Sequence, residues 1–113
     1  MRRNGWHTHE KDGRYVLARH WPPRFDVAAI SGFPPVRAAW LARQIRQDLW
    51  RTFQHLRGFS PVVEVAATED GVIVRAGGRL SGRTPPGTEG RIRDLLDSPA
   101  HRARWMVCAG EDA

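Results

Sequence analysis

Three histidines near the start of the chain have the residue type and spacing of a metal site. His7 and His9 alternate along one predicted strand, and His20 falls beside them if the chain turns back at residues 12–13. Imidazoles that share one face of a hairpin can bind a transition metal such as zinc. No second set of ligands with metal-like spacing accompanies them, and Cys108 is distant in sequence. We therefore interpret the histidines as a solvated polar face and predict neither a metal nor a cofactor.

Other groups with catalytic potential lack the context that their chemistry needs. Residues 77–84, GGRLSGRT, resemble a phosphate-binding loop with Arg in place of Lys. Pro85-Pro86 blocks the helix whose N-terminus would face the phosphate, so we interpret the segment as a strand end relaxed by glycines. Cys108 and the serines have no nucleophile elbow around them, and we interpret Cys108 as a small packing residue. The sequence therefore predicts a protein that is not an enzyme.

A basic face that carries tryptophans is the strongest functional signal in the chain. On a helix over residues 36–57, at 100° per residue, arginine, tryptophan and glutamine side chains fall opposite an apolar stripe. Arginine donates bidentate hydrogen bonds to phosphate oxygens, and tryptophan stacks on bases. This face is therefore predicted to bind nucleic acid. Its residues are Trp40, Arg43, Arg46, Gln47, Trp50, Arg51 and Arg57.

The same tryptophans allow a second interpretation. Trp40 and Trp50 become buried if the N-terminal hairpin covers them with Trp6, Tyr15 and Trp21, or if a second copy of the helix does so. The arginines then remain exposed around the buried tryptophans. In that case the protein is an interaction or oligomeric adaptor.

Charge is distributed unevenly along this arginine-rich chain. Residues 1–57 hold eleven Lys or Arg against four Asp or Glu, a net charge of +7, whereas residues 58–113 carry a net charge of −1. A localised positive field attracts polyanions. Nucleic acid is therefore the expected partner, with DNA favoured over RNA, and a homodimer or another protein is the alternative.

Two Asp-Gly pairs predict two β-hairpins, over residues 6–21 and 62–81. Both central residues of a type I′ turn need positive φ, which Asp and Gly tolerate. The first turn lies at residues 12–13 and the second at residues 70–71. These turns pair His9 with Val16 and His7 with Ala18, set Glu64 and Arg75 as diagonal neighbours, and place Val63, Val65, Ala67, Val72, Val74 and Ala76 on one face.

Helical periodicity predicts the remaining elements. The long helix over residues 36–57 has Pro35 as a residue suited to its first turn, Gly58 as its C-terminal stop, and an apolar stripe. Residues 24–35 are expected to form a connecting loop. Two helices are predicted over residues 88–108, with Thr88 as the first N-cap and a break at Ser98-Pro99. The stripe of the long helix comprises Leu41, Ile45, Leu49, Phe53 and Leu56.

Together these elements predict one domain, residues 1–113, of the α+β class. An antiparallel sheet from the two hairpins is packed by the long central helix, and the C-terminal helix is broken. No apolar run has the length of a membrane span, and no apolar segment follows the basic N-terminus as in a signal peptide. A single cysteine suits a reducing compartment, so we expect a cytoplasmic protein.

Overall fold

The computed structural model describes residues 2–3 and 5–110 and confirms the α+β class. Within those residues, six strands form one antiparallel sheet and three helices pack against it. The strands follow the spatial order β1-β2-β3-β5-β6-β4. The elements are β1 (Arg2–Arg3), β2 (Trp6–Lys11), β3 (Arg14–Ala18), β4 (Val27–Phe33), α1 (Ala38–Phe53), β5 (Ser60–Ala67), β6 (Val72–Arg79), α2 (Thr88–Asp97) and α3 (Pro99–Gly110).

Both predicted hairpins are present. Asp12 and Gly13 have φ values of 53° and 76°, as a type I′ turn requires, and they join β2 to β3. The predicted pairs of His7 with Ala18 and of His9 with Val16 are confirmed. The second hairpin has the predicted core face except at Ala67, which is exposed, and Glu64 lies directly opposite Arg75 rather than diagonal to it. The reason is that its turn spans four residues instead of two, with the Thr68 N–H donating to the Gly71 carbonyl.

The segment predicted to be a connecting loop is instead an edge strand. Residues 27–33 of β4 pair with β6, from Val27 opposite Gly78 to Phe33 opposite Val72. Alanine, serine and glycine supply most of the middle of β4, and these residues have little intrinsic strand preference. Pairing with β6 and burial determine the strand conformation of residues 27–33. The local composition therefore does not predict a strand.

The central helix α1 is shorter than predicted. It begins after Arg37, its N-cap, and Gln54 is its C-cap. The Leu56 N–H then donates to the Phe53 carbonyl in a tighter turn. Gly58 lies beyond that turn at φ +69°, where a Cβ would collide with the Ser81 hydroxyl. Pro35 consequently precedes the N-cap rather than lying in the first helical turn.

The predicted apolar stripe of α1 forms the centre of the core. Leu41, Ile45, Leu49 and Phe53 are fully buried, and Leu56 packs at the margin. These side chains pack across the face of the sheet that carries Val63, Val65 and Val74. Helices α2 and α3 cover the rest of the same face, to which they add Ile92, Leu95, Leu96 and Trp105.

The break between α2 and α3 lies at Ser98-Pro99, as predicted. Ser98 caps α3, because its hydroxyl accepts the His101 backbone N–H at 3.4 Å. Thr88 is not an N-cap: Gly87 occupies that position, and the Thr88 hydroxyl donates to the Pro85 carbonyl at 2.7 Å. Cys108 is exposed on α3, so its interpretation as a packing residue is wrong.

On the opposite face of the sheet, the described residues that pack belong to the segment between β3 and β4. Phe25 packs there on Val16, Ala18 and Val62. Ile30 and Ile73, on the same face, remain 55% and 46% exposed. None of the described helices has the length and hydropathy of a membrane span.

Candidate nucleic-acid interface

Helix α1 presents most of the predicted binding residues to solvent. Trp40 is 38% exposed and Trp50 is 52% exposed. Arg43, Gln47 and Arg51 are exposed beside them, because positions spaced by three, four or seven residues share one side of a helix. The N-terminal hairpin therefore does not cover the tryptophans, and that part of the second interpretation is wrong.

Two of the predicted residues occupy different positions from those expected. Arg57 is exposed but lies outside α1, because the helix ends at Phe53. Arg46 is on the helix, yet it is half-buried at the side of α1 that faces the N-terminal hairpin. Its guanidinium lies over the ring of Trp6, at 4.6 Å from the centroid.

Trp40 lies between two guanidinium groups. The guanidinium carbons (Cζ) of Arg37 and Arg43 lie 5.5 and 5.6 Å from the centroid of the Trp40 ring. Residues three positions before and after Trp40 on a helix reach the same side chain. Each such cation–π contact at an exposed site contributes about 0.5–1 kcal/mol. The contacts hold positive charge next to an exposed indole.

A second arginine pair lies around Trp6, which the sequence analysis did not include in the site. Arg19 is 5.6 Å from the Trp6 centroid, so Arg19 and Arg46 both contact this indole. The predicted hairpin register already placed Trp6 on the strand face opposite His7 and His9. Nothing in the local sequence indicated that Arg46 would meet it. We call Trp6, Arg19, Arg37, Trp40, Arg43, Arg46, Gln47 and Trp50 the arginine–tryptophan face.

Electrostatic repulsion accumulates within this face. Burial lowers the pKa of Arg46, and the neighbouring Arg43 and Arg19 cations lower it further. The Arg46 Nε atom is buried and has no hydrogen-bond partner among the residues that the structure describes. Among the described residues, no carboxylate forms an ion pair with Arg19, Arg43 or Arg46. The fold thus brings Arg19, Arg43 and Arg46 together without an ion-pair partner among the described residues.

Tyr15 adds a titratable group beside the same face. Burial raises the pKa of Tyr15, the Arg43 cation opposes that shift, and Glu10 adds to it. An influence of Arg43 on Tyr15 means that the outer surface of α1 and strand β3 share one electrostatic environment. The hairpin adds its own cation to this face through Arg19, which follows β3 and is exposed.

The only acidic residue of α1 lies on the other flank of the helix. Asp48 is 5% exposed and accepts the Trp105 Nε1–H at 2.6 Å. Arg104 also donates to this carboxylate, and Arg51 lies 3.8 Å from it. Within the described part of the chain, Arg51 is the predicted arginine that has a carboxylate neighbour.

The histidines form a different arrangement from a metal site. His7 and His9 contact the ring of Trp21 at centroid distances of 5.9 and 6.0 Å, on the sheet face that lacks helices. His20 is hydrogen-bonded through Nδ1 to the Ser60 hydroxyl at 2.9 Å. In the part of the chain that the structure describes, no group of three or more His, Cys, Asp or Glu side chains is placed to hold a metal ion.

Fold and site together define a two-layer α+β protein with the arginine–tryptophan face on its central helix and N-terminal hairpin. Comparison with protein-family models, with curated proteins and with solved structures finds no match to this chain. Its function is therefore argued from the chemistry of this surface.

Proposed function

We propose that the protein binds nucleic acid through the arginine–tryptophan face and has no chemistry of its own. One observation carries the proposal: Trp40 and Trp50 are exposed on a helix face where the neighbouring Arg43 has no carboxylate partner among the described residues. Exposed indoles are costly to leave in water, and clustered cations repel one another. A ligand that is both planar and anionic relieves both costs.

The two residue types would have separate roles. Arginine guanidinium groups bind phosphate oxygens and release condensed counterions, which favours association at low salt. Tryptophan rings stack on bases, at about 1–3 kcal/mol per base. Because the Arg43 guanidinium lies close to Trp40, a base stacked on this indole would have a cation near its phosphate.

The proposal covers DNA and RNA, with DNA as the first choice, and includes a cytoplasmic location. Stacking on Trp40 and Trp50 requires unpaired bases, whereas phosphate contacts from the arginines suit single strands and duplexes equally. Comparing a single strand with a duplex of the same sequence separates the two contributions.

The test is a fluorescence-anisotropy titration of labelled oligonucleotides at several salt concentrations. Replacing Arg19 and Arg43 with Gln removes two exposed cations of the face. We expect weaker binding to unrelated sequences and a salt slope flatter by up to about two units. The matched control replaces Arg83 and Arg93, two exposed arginines of the net-acidic half, with Gln.

The control variant should retain both the affinity and the salt slope of the wild type. Equal losses in the two double variants would remove the arginine–tryptophan face from the binding surface. If the wild type binds neither single strand nor duplex at low salt, the nucleic-acid proposal is wrong.

A protein partner on the same face is the second candidate. Exposed Trp40 and Trp50 support it, since tryptophan and arginine are enriched at protein interfaces. Such a partner, or a second copy, would bury both indoles. Self-association that is lost on replacing Trp40 with Ala, in a protein that binds no nucleic acid, would favour this candidate.

A further inference from the structure

Strand β4 is the last strand of the sheet within the described residues, and its outer edge faces away from β6. The strand, VAAISGF, has seven residues without a charge or a proline. Natural edge strands are usually protected by lysine, proline or a bulge, because unpaired backbone groups attract another strand. An uncharged edge of this length therefore needs a physical explanation.

Side chains already satisfy the two ends of that edge. The Ala28 N–H donates to the Glu89 carboxylate at 3.2 Å, and Arg102 Nη2 donates to the Gly32 carbonyl at 2.7 Å. Both backbone groups must therefore point away from β6. In an antiparallel ladder, alternate residues point the same way, so the N–H and C=O of Ile30 face the same open edge.

We propose that this edge pairs with β4 of a second copy of the chain, antiparallel and centred on Ile30. In that register Ile30 lies opposite Ile30, and Ala28 lies opposite Gly32 of the second copy. The three pairs exchange two hydrogen bonds each. The two Ile30 side chains, each 55% exposed in the monomer, then contact each other across the two-fold axis.

Charge complementarity selects a second copy as the occupant. Glu89 lies beside Ala28 and Arg102 beside Gly32, two residues on either side of Ile30. The two-fold axis therefore brings Glu89 of each copy next to Arg102 of the other. Pairing releases the Glu89 carboxylate from the Ala28 N–H, and it can then bind the arginine across the interface.

Arg102 is in place for this role before pairing. Its Nη1 donates to the Leu96 carbonyl at 3.1 Å and to the Ser31 hydroxyl at 3.0 Å, and its guanidinium lies 3.9 Å from the Phe33 centroid. A carbonyl oxygen accepts two hydrogen bonds, so Gly32 can keep Arg102 and also accept the N–H of the incoming Ala28. Little side-chain ordering is then left to oppose association.

Sedimentation velocity over a range of concentrations tests the proposal. The wild type should pass from the 12.8 kDa monomer to a dimer as concentration rises. Ile30→Lys places two like charges opposite each other and should weaken dimerisation by about tenfold or more. Ile73→Lys is the matched control, because Ile73 is exposed on the same sheet face but lies on β6, away from the edge.

Dimerisation retained by Ile73→Lys and lost by Ile30→Lys supports pairing at the edge. Loss in both variants, or in neither, contradicts it, as does a wild type that stays monomeric at every concentration. Circular dichroism checks that each variant folds. Glu89→Arg, an exposed change that sets two arginines against each other, gives a second variant and should also weaken the dimer.

Discussion

Both flanks of helix α1 carry an arginine and a tryptophan, but among the described residues the flank toward α3 pairs its arginine with a carboxylate and the flank toward the hairpin does not. Toward α3, Asp48 accepts hydrogen bonds from both Arg104 and the fully buried Trp105. Toward the N-terminal hairpin, Arg46 lies on Trp6 beside Arg19. No carboxylate pairs with either arginine there among residues 2–3 and 5–110.

The difference separates a structural contact from a surface available to a ligand. A buried carboxylate with two donors fixes the position of α3, because each polar group has its partner. Arginines that repel one another contribute little to stability, and burial already lowers the pKa of Arg46. Their concentration on one flank contributes little to the fold, and this is the observation that supports the proposed anionic partner.

Asp48→Ala should have the largest effect on stability. The substitution leaves the Trp105 indole N–H buried without an acceptor, which costs about 1–3 kcal/mol. Urea denaturation measures the loss. In a double-mutant cycle with Trp105→Phe, which removes the donor as well, the two losses should be less than additive. Full additivity would mean that the hydrogen bond does not stabilise the flank.

Arg46→Met should separate stability from binding. Methionine keeps an unbranched side chain over Trp6 and removes a buried Nε atom that has no partner. The free energy of unfolding should therefore change by less than about 1 kcal/mol, in either direction. Affinity for an oligonucleotide should fall and its salt slope should flatten. A large loss of stability would show that the Arg46 charge supports the fold.

Arg43→Gln should have the smallest effect, a change in the pH titration of Tyr15. The Arg43 cation favours the tyrosinate form of Tyr15, so its removal should raise the pKa of Tyr15 further. The chain has one tyrosine, so an ultraviolet pH titration reports this residue alone. Arg93→Gln, in the net-acidic half, serves as the control and should leave the titration unchanged. An unaltered titration in Arg43→Gln would place Arg43 away from the hairpin.

Elements with local signals were predictable from the sequence. The Asp-Gly pair at residues 12–13 fixed the first hairpin through its positive φ angles, and the spacing of Leu41, Ile45 and Leu49 predicted the buried side of α1. Both signals lie within a few residues of the structure that they specify. The end of α1 was predicted too late, because Gly58 was interpreted as the stop of the helix. Glycine at position 58 is instead required by the close approach of Ser81, which the local sequence does not reveal.

Features that depend on distant residues were not predictable. Strand β4 exists because it pairs with β6, whose partner residues lie 39 (Phe33 to Val72) to 51 (Val27 to Gly78) positions further along the chain, and its own composition is neutral. Asp48 and Trp105 are 57 positions apart, and neither had a local reason to be assigned to the other. In the candidate site, helical spacing grouped Trp40 with Arg43. The contact of Arg46 with Trp6 joins helix α1 to strand β2, so it could be identified only from the structure.

The most direct test follows the five tryptophan indole N–H signals of isotope-labelled protein by NMR as a single-stranded oligonucleotide is added. The account predicts that the signals of Trp40, Trp50 and Trp6 shift, since these residues lie on the arginine–tryptophan face. The signals of Trp105, bound to Asp48, and of Trp21, on the other face of the sheet, should stay in place. Binding that shifts Trp21 and leaves Trp40 and Trp50 unchanged would contradict the account.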